Sequence, residues 1–164
     1  MSGVENIGIE QNSPLSGKLG TTAAIEFSIR SFRENLVLAD MAKAAKMPRN
    51  TLTRKFNTIF GLSPIKWLWL FRTVLAAELI TAFPDYPLAQ ISDFCGFTSN
   101  AHFSRRFKLI FKKSPSEYKT EHLNSNTIFG ATVNPQPYNP DIGDFIYVER
   151  AVKKLNEMVS NPTS

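Results

Sequence analysis

Thiol and imidazole are scarce in this chain of 164 residues, which has one cysteine, Cys95, and two histidines, His102 and His122. A lone cysteine excludes an intramolecular disulfide and a cysteine-based metal cluster. It lies between Phe94 and Gly96 in an apolar run, where a small buried hydrophobe is its expected role. Paired carboxylates, a phosphate-cradling glycine loop and a nucleophile with a positioned base are also missing. The expectation is therefore no enzyme, no catalytic residue, no metal and no cofactor. The opening Met-Ser-Gly-Val-Glu-Asn carries no charged leader before an apolar core, so no signal peptide is read. The most apolar stretch, Ile65 to Phe83, is broken by Lys66, Arg72 and Glu78, whereas a membrane span needs about 20 mostly uninterrupted apolar residues. A cytoplasmic chain with no membrane partner is expected. Acid is short as well: Leu36 to Thr120 holds 13 Lys/Arg against 5 Asp/Glu, a net +8 that leaves −3 elsewhere. A basic middle of this kind is the footprint of a nucleic-acid binder, or else of a merely soluble basic domain.

What is present is helical periodicity, with no strand pattern beside it. Residues 1–20 are polar, bear Gly and Ser, and read as a flexible arm. Residues 21–123 read as one helical domain, and 124–164 as a linker plus an amphipathic helix. The spacing of Ile25, Ile29 and Phe32 predicts a first helix closing near Glu34-Asn35. Leu38, Met41, Ala42 and Ala45 predict a second. Pro48 opens a third, which Gly61 ends. Ser63-Pro64 starts a fourth helix, running to about Ala82. Leu88 to Cys95 and Ser99 to Phe111 follow, and Ser114-Pro115 opens a seventh helix that should end near His122. The Pro- and Asn-rich stretch Asn124 to Gly143 reads as linker. Phe145, Val148, Val152, Leu155 and Val159 then form an apolar stripe that needs a partner surface.

One pattern occurs twice, 51 residues apart. Arg54-Lys55-Phe56, Phe60, Ser63-Pro64 and Trp67 match Arg105-Arg106-Phe107, Phe111, Ser114-Pro115 and Tyr118. Each copy follows a short helix and a tight turn, the helix-turn-helix arrangement whose second helix enters a major groove. Leu52, Phe56, Ile59 and Phe60 share one face of the third helix and should be core. Phe103, Phe107, Ile110 and Phe111 do the same in the sixth. The opposite faces present Arg49, Asn50, Thr53, Arg54 and Asn57, and then Asn100, Ala101, Ser104 and Arg105, with Lys108 beside them. Arg can fork onto guanine, Asn can pair with adenine, and Ala or a Thr methyl can meet thymine, so these nine are assigned to base readout. Lys55, Arg106, Lys108, Lys112 and Lys113 are assigned to phosphates. His102 is grouped with them, although it would serve equally to fill the turn. The copies are unequal, since Asn50 to Arg54 spans four residues and Asn100 to Arg105 spans five.

Gly96-Phe97-Thr98-Ser99-Asn100-Ala101-His102-Phe103-Ser104-Arg105-Arg106-Phe107-Lys108, followed by Ser114-Pro115-Ser116-Glu117-Tyr118, resembles the signature of the AraC/XylS family of bacterial transcription regulators. Leu52, Arg54, Phe56, Gly61, Ser63-Pro64, Arg72, Ala76 and Leu79-Ile80 extend the resemblance into the first half. It implies an all-α fold of two helix-turn-helix subdomains joined by a long central helix, here with an extra C-terminal helix. It also implies double-stranded DNA as partner, RNA polymerase as a second one, a nucleoid-associated location and an activator role. The alternatives are an architectural or repressive DNA-binding protein, or an interaction adaptor acting through the C-terminal helix. With 35 residues before the module and 44 after it, a stand-alone type without an effector domain is expected. Two readers in one chain imply a monomer on an asymmetric site. Departures from the family pattern are Val37 where a Ser or Thr cap is common, Ser92 for a usual Ala, and one extra residue between Pro84 and Pro87. Trp69 and Leu70 stand where charge is common. An apolar patch there, or the 144–159 helix, would be a self-association surface, and that helix is expected to fold back onto Trp69 and Leu70.

Overall fold

The computed structural model describes residues 14–128 and 144–160, with eight helices and no strand among them. These are α1 (Pro14–Arg30), α2 (Leu38–Ala44), α3 (Arg49–Phe60), α4 (Pro64–Ala82), α5 (Leu88–Phe94), α6 (Asn100–Phe111), α7 (Pro115–Ile128) and α8 (Asp144–Ser160). The all-α class and the two helix-turn-helix units joined by a long helix are as the sequence implies. Two boundaries differ. Helix α1 starts at Pro14, inside the stretch read as an arm, and Gly20 within it is a packing residue rather than a flexible one. A Cβ there would meet the terminal methyl of Met47, and the Ala45 carbonyl oxygen at 2.9 Å. The small residue lets α1 lie close against the turn between α2 and α3. Helix α7 continues to Ile128, so the first residues read as linker are helical. Most of that linker lies outside the described residues.

Helix α4 is the centre of the fold. It is apolar nearly all round, and such a helix must be enclosed. Every residue from Phe71 to Ala77 is buried, along with Trp67, Leu68, Leu79 and Ile80. Its axis turns 52° from that of α3. An aromatic chain runs from Phe56 through Trp67, Phe71 and Phe32 to Phe94, with centroids 5.8 to 6.2 Å apart, and joins the two units.

The repeated motif has a physical meaning in each unit. Phe56, Phe60 and Trp67 form one three-ring cluster at 5.2, 6.2 and 6.3 Å. Phe107, Phe111 and Tyr118 form its counterpart at 4.7, 5.2 and 5.2 Å. Helices α3 and α6 both stop on a left-handed residue, Gly61 (φ 65°) and Lys112 (φ 60°). The next helix then begins with Ser and a buried Pro. Ser63 Oγ accepts from the Lys66 N–H at 3.4 Å, and Ser114 Oγ accepts from the Glu117 N–H at 3.2 Å. Isoleucines 59 and 110, predicted to be core, lie further out: Ile59 is exposed and Ile110 half-buried.

Helix α8 packs along α4, with Ala151 and Leu155 fully buried and Lys154 Nζ 3.2 Å from Glu78 Oε1. The fold-back onto α4 occurs, while the Trp69 ring packs on Phe97 and His102. Leu155 and the half-buried Val152 thus spend on α4 part of the stripe that an adaptor would offer a partner. Phe145, Val148 and Val159 lie outside the residues whose side chains are described.

Helix α2 is half-capped, because Asp40 Oδ2 accepts from the Val37 N–H at 2.9 Å while Val37 has no oxygen to return the bond. Val37 is 51% exposed. Val37→Ser should complete this reciprocal cap and raise stability by about 1 kcal/mol in urea unfolding. An unchanged midpoint would contradict this reading of the cap.

Candidate nucleic-acid interface

The outward face of α3 is built by periodicity alone. With Leu52 and Phe56 fixed in the core, Arg49, Asn50, Arg54 and Asn57 are exposed and Thr53 half-buried. Asn50, Thr53, Arg54 and Asn57 line one open, shallow concavity, which also takes in Thr58. Thr58 was not among the residues read from sequence, although Asn50, Arg54 and Thr58 recur every fourth residue. Its hydroxyl donates to the Arg54 carbonyl at 2.9 Å.

Phe103 and Phe107 fix α6 in the same way, leaving Asn100, Ala101, Ser104, Arg105 and Lys108 exposed. Arg105 Nε donates to the Ala101 carbonyl at 3.3 Å, so the side chain lies along its own helix. Leu109 is 64% exposed, one turn beyond Arg105, and extends this face. Hydropathy hid it, since a Leu in a helical pattern reads as core.

The two copies differ in their turns as well as in their residues. Four residues, 45–48, separate α2 from α3, and five, 95–99, separate α5 from α6. Lys46 (φ 52°) and Gly96 (φ 78°) supply the left-handed step in each. The extra residue falls before α6; at the 51-residue spacing Arg54 matches Arg105, Asn50 matches Ala101 and Asn100 matches Arg49, so the unequal Asn–Arg spacing comes from Asn standing second in α3 and first in α6. The starts differ as well. Ser99 Oγ accepts from the His102 N–H at 3.2 Å, whereas Pro48 gives α3 no side-chain cap.

The basic residues read as phosphate contacts separate into groups. Lys108 is exposed and Lys55 half-buried. Lys112 is exposed, with Nζ donating to the Leu109 carbonyl at 3.0 Å. Lys113 Nζ reaches both carboxylate oxygens of Glu121, at 2.6 and 2.7 Å. Both side chains are about half exposed, and a pair of that kind contributes at most about 1 kcal/mol. A phosphate can compete for the lysine.

His102 and Arg106 turn toward α4 instead. The His102 ring stands edge-on to Trp69, centroids 4.5 Å apart, and its Nε2 accepts from Arg106 Nε at 3.3 Å. Its ring is half-buried against Trp69 and Phe97, a placement that the turn-filling reading expects. Burial, then the charges of Arg106, Arg105 and Arg72, hold its pKa below the ordinary histidine value. The unfolded chain then takes up this proton first. Stability is complete above about pH 6.5 and declines as the pH falls from there toward the folded value. His102→Gln should flatten that decline in urea titrations across this window; an unchanged slope would assign it to other groups.

Among the described residues no helix is long and apolar enough to cross a membrane. Nor do His, Cys, Asp and Glu side chains gather there in a group that would hold a metal.

A family model described as a helix-turn-helix domain matches residues 41–121. The urease operon transcriptional activator of Escherichia coli is 33% identical over 112 residues, which cover 65% of this chain and 37% of that protein. The transcriptional activator NphR of a Rhodococcus species is 34% identical over 88 residues, covering 54% and 26%. A solved AraC-type DNA-binding-domain protein from Chromobacterium violaceum superposes with a TM-score of 0.60 at 26% identity, over 66% of this chain and 96% of that one. Residues 41–121 form an AraC-type helix-turn-helix domain. The DNA-binding domain of the global transcriptional factor AdpA, solved with a target DNA, shares this fold at a TM-score of 0.61 and 23% identity. The chain spans 26% to 37% of the length of the curated relatives named here. The AraC-type domain takes in α2 from Met41 through α7 to Glu121, and leaves α1 and α8 outside the match.

Proposed function

We propose that the protein is a sequence-specific transcription regulator that reads an oriented duplex site with α3 and α6. The observation that carries this is the pair of outward polar faces, Arg49 to Thr58 and Asn100 to Lys108, on helices fixed by matching aromatic clusters. Two successive major-groove segments on one side of a duplex lie about 34 Å apart. The spacer α4 has 19 residues, or about 28 Å of helix, a span of the right order to set them there. Unequal readers in fixed order favour an asymmetric site bound by one copy of the chain. Selection from random duplexes should return a non-palindromic site with two conserved blocks about one helical turn apart. A palindrome, or no enrichment, would overturn the reading.

An activator role is supported by the E. coli and Rhodococcus relatives, both transcriptional activators, and it implies a contact with RNA polymerase. A reporter carrying the selected site should rise in expression with the protein present; repression would reverse that part of the proposal.

Lys112 separates stability from binding. It occupies a left-handed position where glycine is cheaper, so Lys112→Gly should gain about 1 kcal/mol of stability. It should also weaken binding to all sequences alike and lower the salt slope by about one. Weaker binding on the selected site alone would move Lys112 from phosphate to base.

A further inference from the structure

Trp69 lies on α4, away from both outward faces, yet its ring is the centre of a cluster. Phe97 packs on it at 5.5 Å and His102 at 4.5 Å, and these two are 5.7 Å from each other. The Arg72 guanidinium carbon lies 4.5 Å from the indole centroid and that of Arg106 lies 5.8 Å away. The Arg72 side is immobile, because its nitrogens donate to the Phe32 and Glu34 carbonyls at 2.8 and 2.6 Å. The other side belongs to α6, where His102 and Arg106 are one turn apart.

We propose that Trp69 is a positioning residue for the second reader, fixing the roll of α6 about its own axis. The proposal rests on the DNA-reading assignment above. Two anchors one turn apart define a stripe along α6, and each following residue is rotated by about 100°. Ala101 and Arg105 directly precede the two anchors and form the neighbouring stripe. A roll that moved Arg105 off its base pair would have to break both the His102 and Arg106 contacts with one indole. His102 is fixed a second time through its backbone, by the Ser99 cap. The first unit has no such device at these positions, since Thr51 and Lys55 stand where the second has His102 and Arg106. Trp69 therefore acts on one reader only.

The test is relative affinity for a panel in which each base pair of the selected site is changed singly, measured with wild type, Trp69→Leu and Trp69→Phe. Trp69→Leu should lose roughly tenfold of discrimination at the base pairs that also depend on Arg105. Pairs that depend on Arg54 should stay within about twofold of wild type. Trp69→Phe, which keeps a ring, should recover most of the loss. Equal losses in both halves would reduce Trp69 to a stability residue, and no loss in either would overturn the proposal outright. If Trp69→Leu does not fold, His102→Ala removes the contact from the α6 side and is read against the same two outcomes. A wild type without base preference overturns both this proposal and the DNA-reading assignment. A specific wild type with unmoved variants overturns this proposal alone.

Discussion

Replacing Gly96 with Ala should destabilise the protein by about 3 kcal/mol or more, a large share of the 5–15 kcal/mol typical of a domain. Two penalties act at once. The residue sits at φ 78°, where a side chain is strained by roughly 1 kcal/mol or more. Its Cβ would also lie 2.8 Å from the Phe32 carbonyl oxygen, 3.3 Å from the Arg33 Cα and 3.3 Å from the Arg72 guanidinium carbon. None of these is free to move away. The Phe32 oxygen accepts the Arg72 Nε–H, and the Phe32 ring is wedged between Phe71 and Phe94. Urea unfolding at constant pH measures the effect. A loss below about 1 kcal/mol would mean that the turn relaxes, and that this junction is looser than its distances indicate.

Arg72→Met should cost a similar amount, about 3 kcal/mol. Arg72 is 2% exposed, and burial pushes its pKa down, yet guanidinium stays charged at any physiological pH. Its charge is met by the two carbonyls and the Trp69 face. Met keeps much of the aliphatic volume but leaves the Phe32 oxygen without its donor and the Glu34 oxygen with the Leu36 N–H alone. Both substitutions strike one junction, where the end of α1, the spacer α4 and the turn before α6 meet. Their effects should therefore fall short of additive in the double variant. Full additivity would show that Gly96 and Arg72 act independently.

The parts of this structure that sequence disclosed are those set by local chemistry. Ser63-Pro64 and Ser114-Pro115 start helices through a cap oxygen and a preset φ, and Gly61 ends one in the left-handed region. The period of Leu52 and Phe56, and of Phe103 and Phe107, was enough to sort α3 and α6 into an inner and an outer face. What sequence concealed depends on partners distant in the chain. Gly20 reads as flexible until Met47 and Ala45 are found against it. The packing of His102 and Arg106 on Trp69 was not legible because that residue is more than 30 positions away. The Arg72 fork required the carbonyls of residues 32 and 34 to be in place. Leu109 was hidden for the opposite reason, since nothing local distinguishes an apolar residue that faces outward from one in the core.

Site selection from random duplexes, run in parallel on wild type, Arg54→Ala and Arg105→Ala, tests the two-reader assignment most directly. Each variant should keep the site's length and orientation and lose preference at one block only, a different block for each arginine, at about 1–3 kcal/mol of discrimination. Loss of the same block in both variants, or equal weakening on selected and random DNA, would contradict the assignment of α3 and α6 as separate readers.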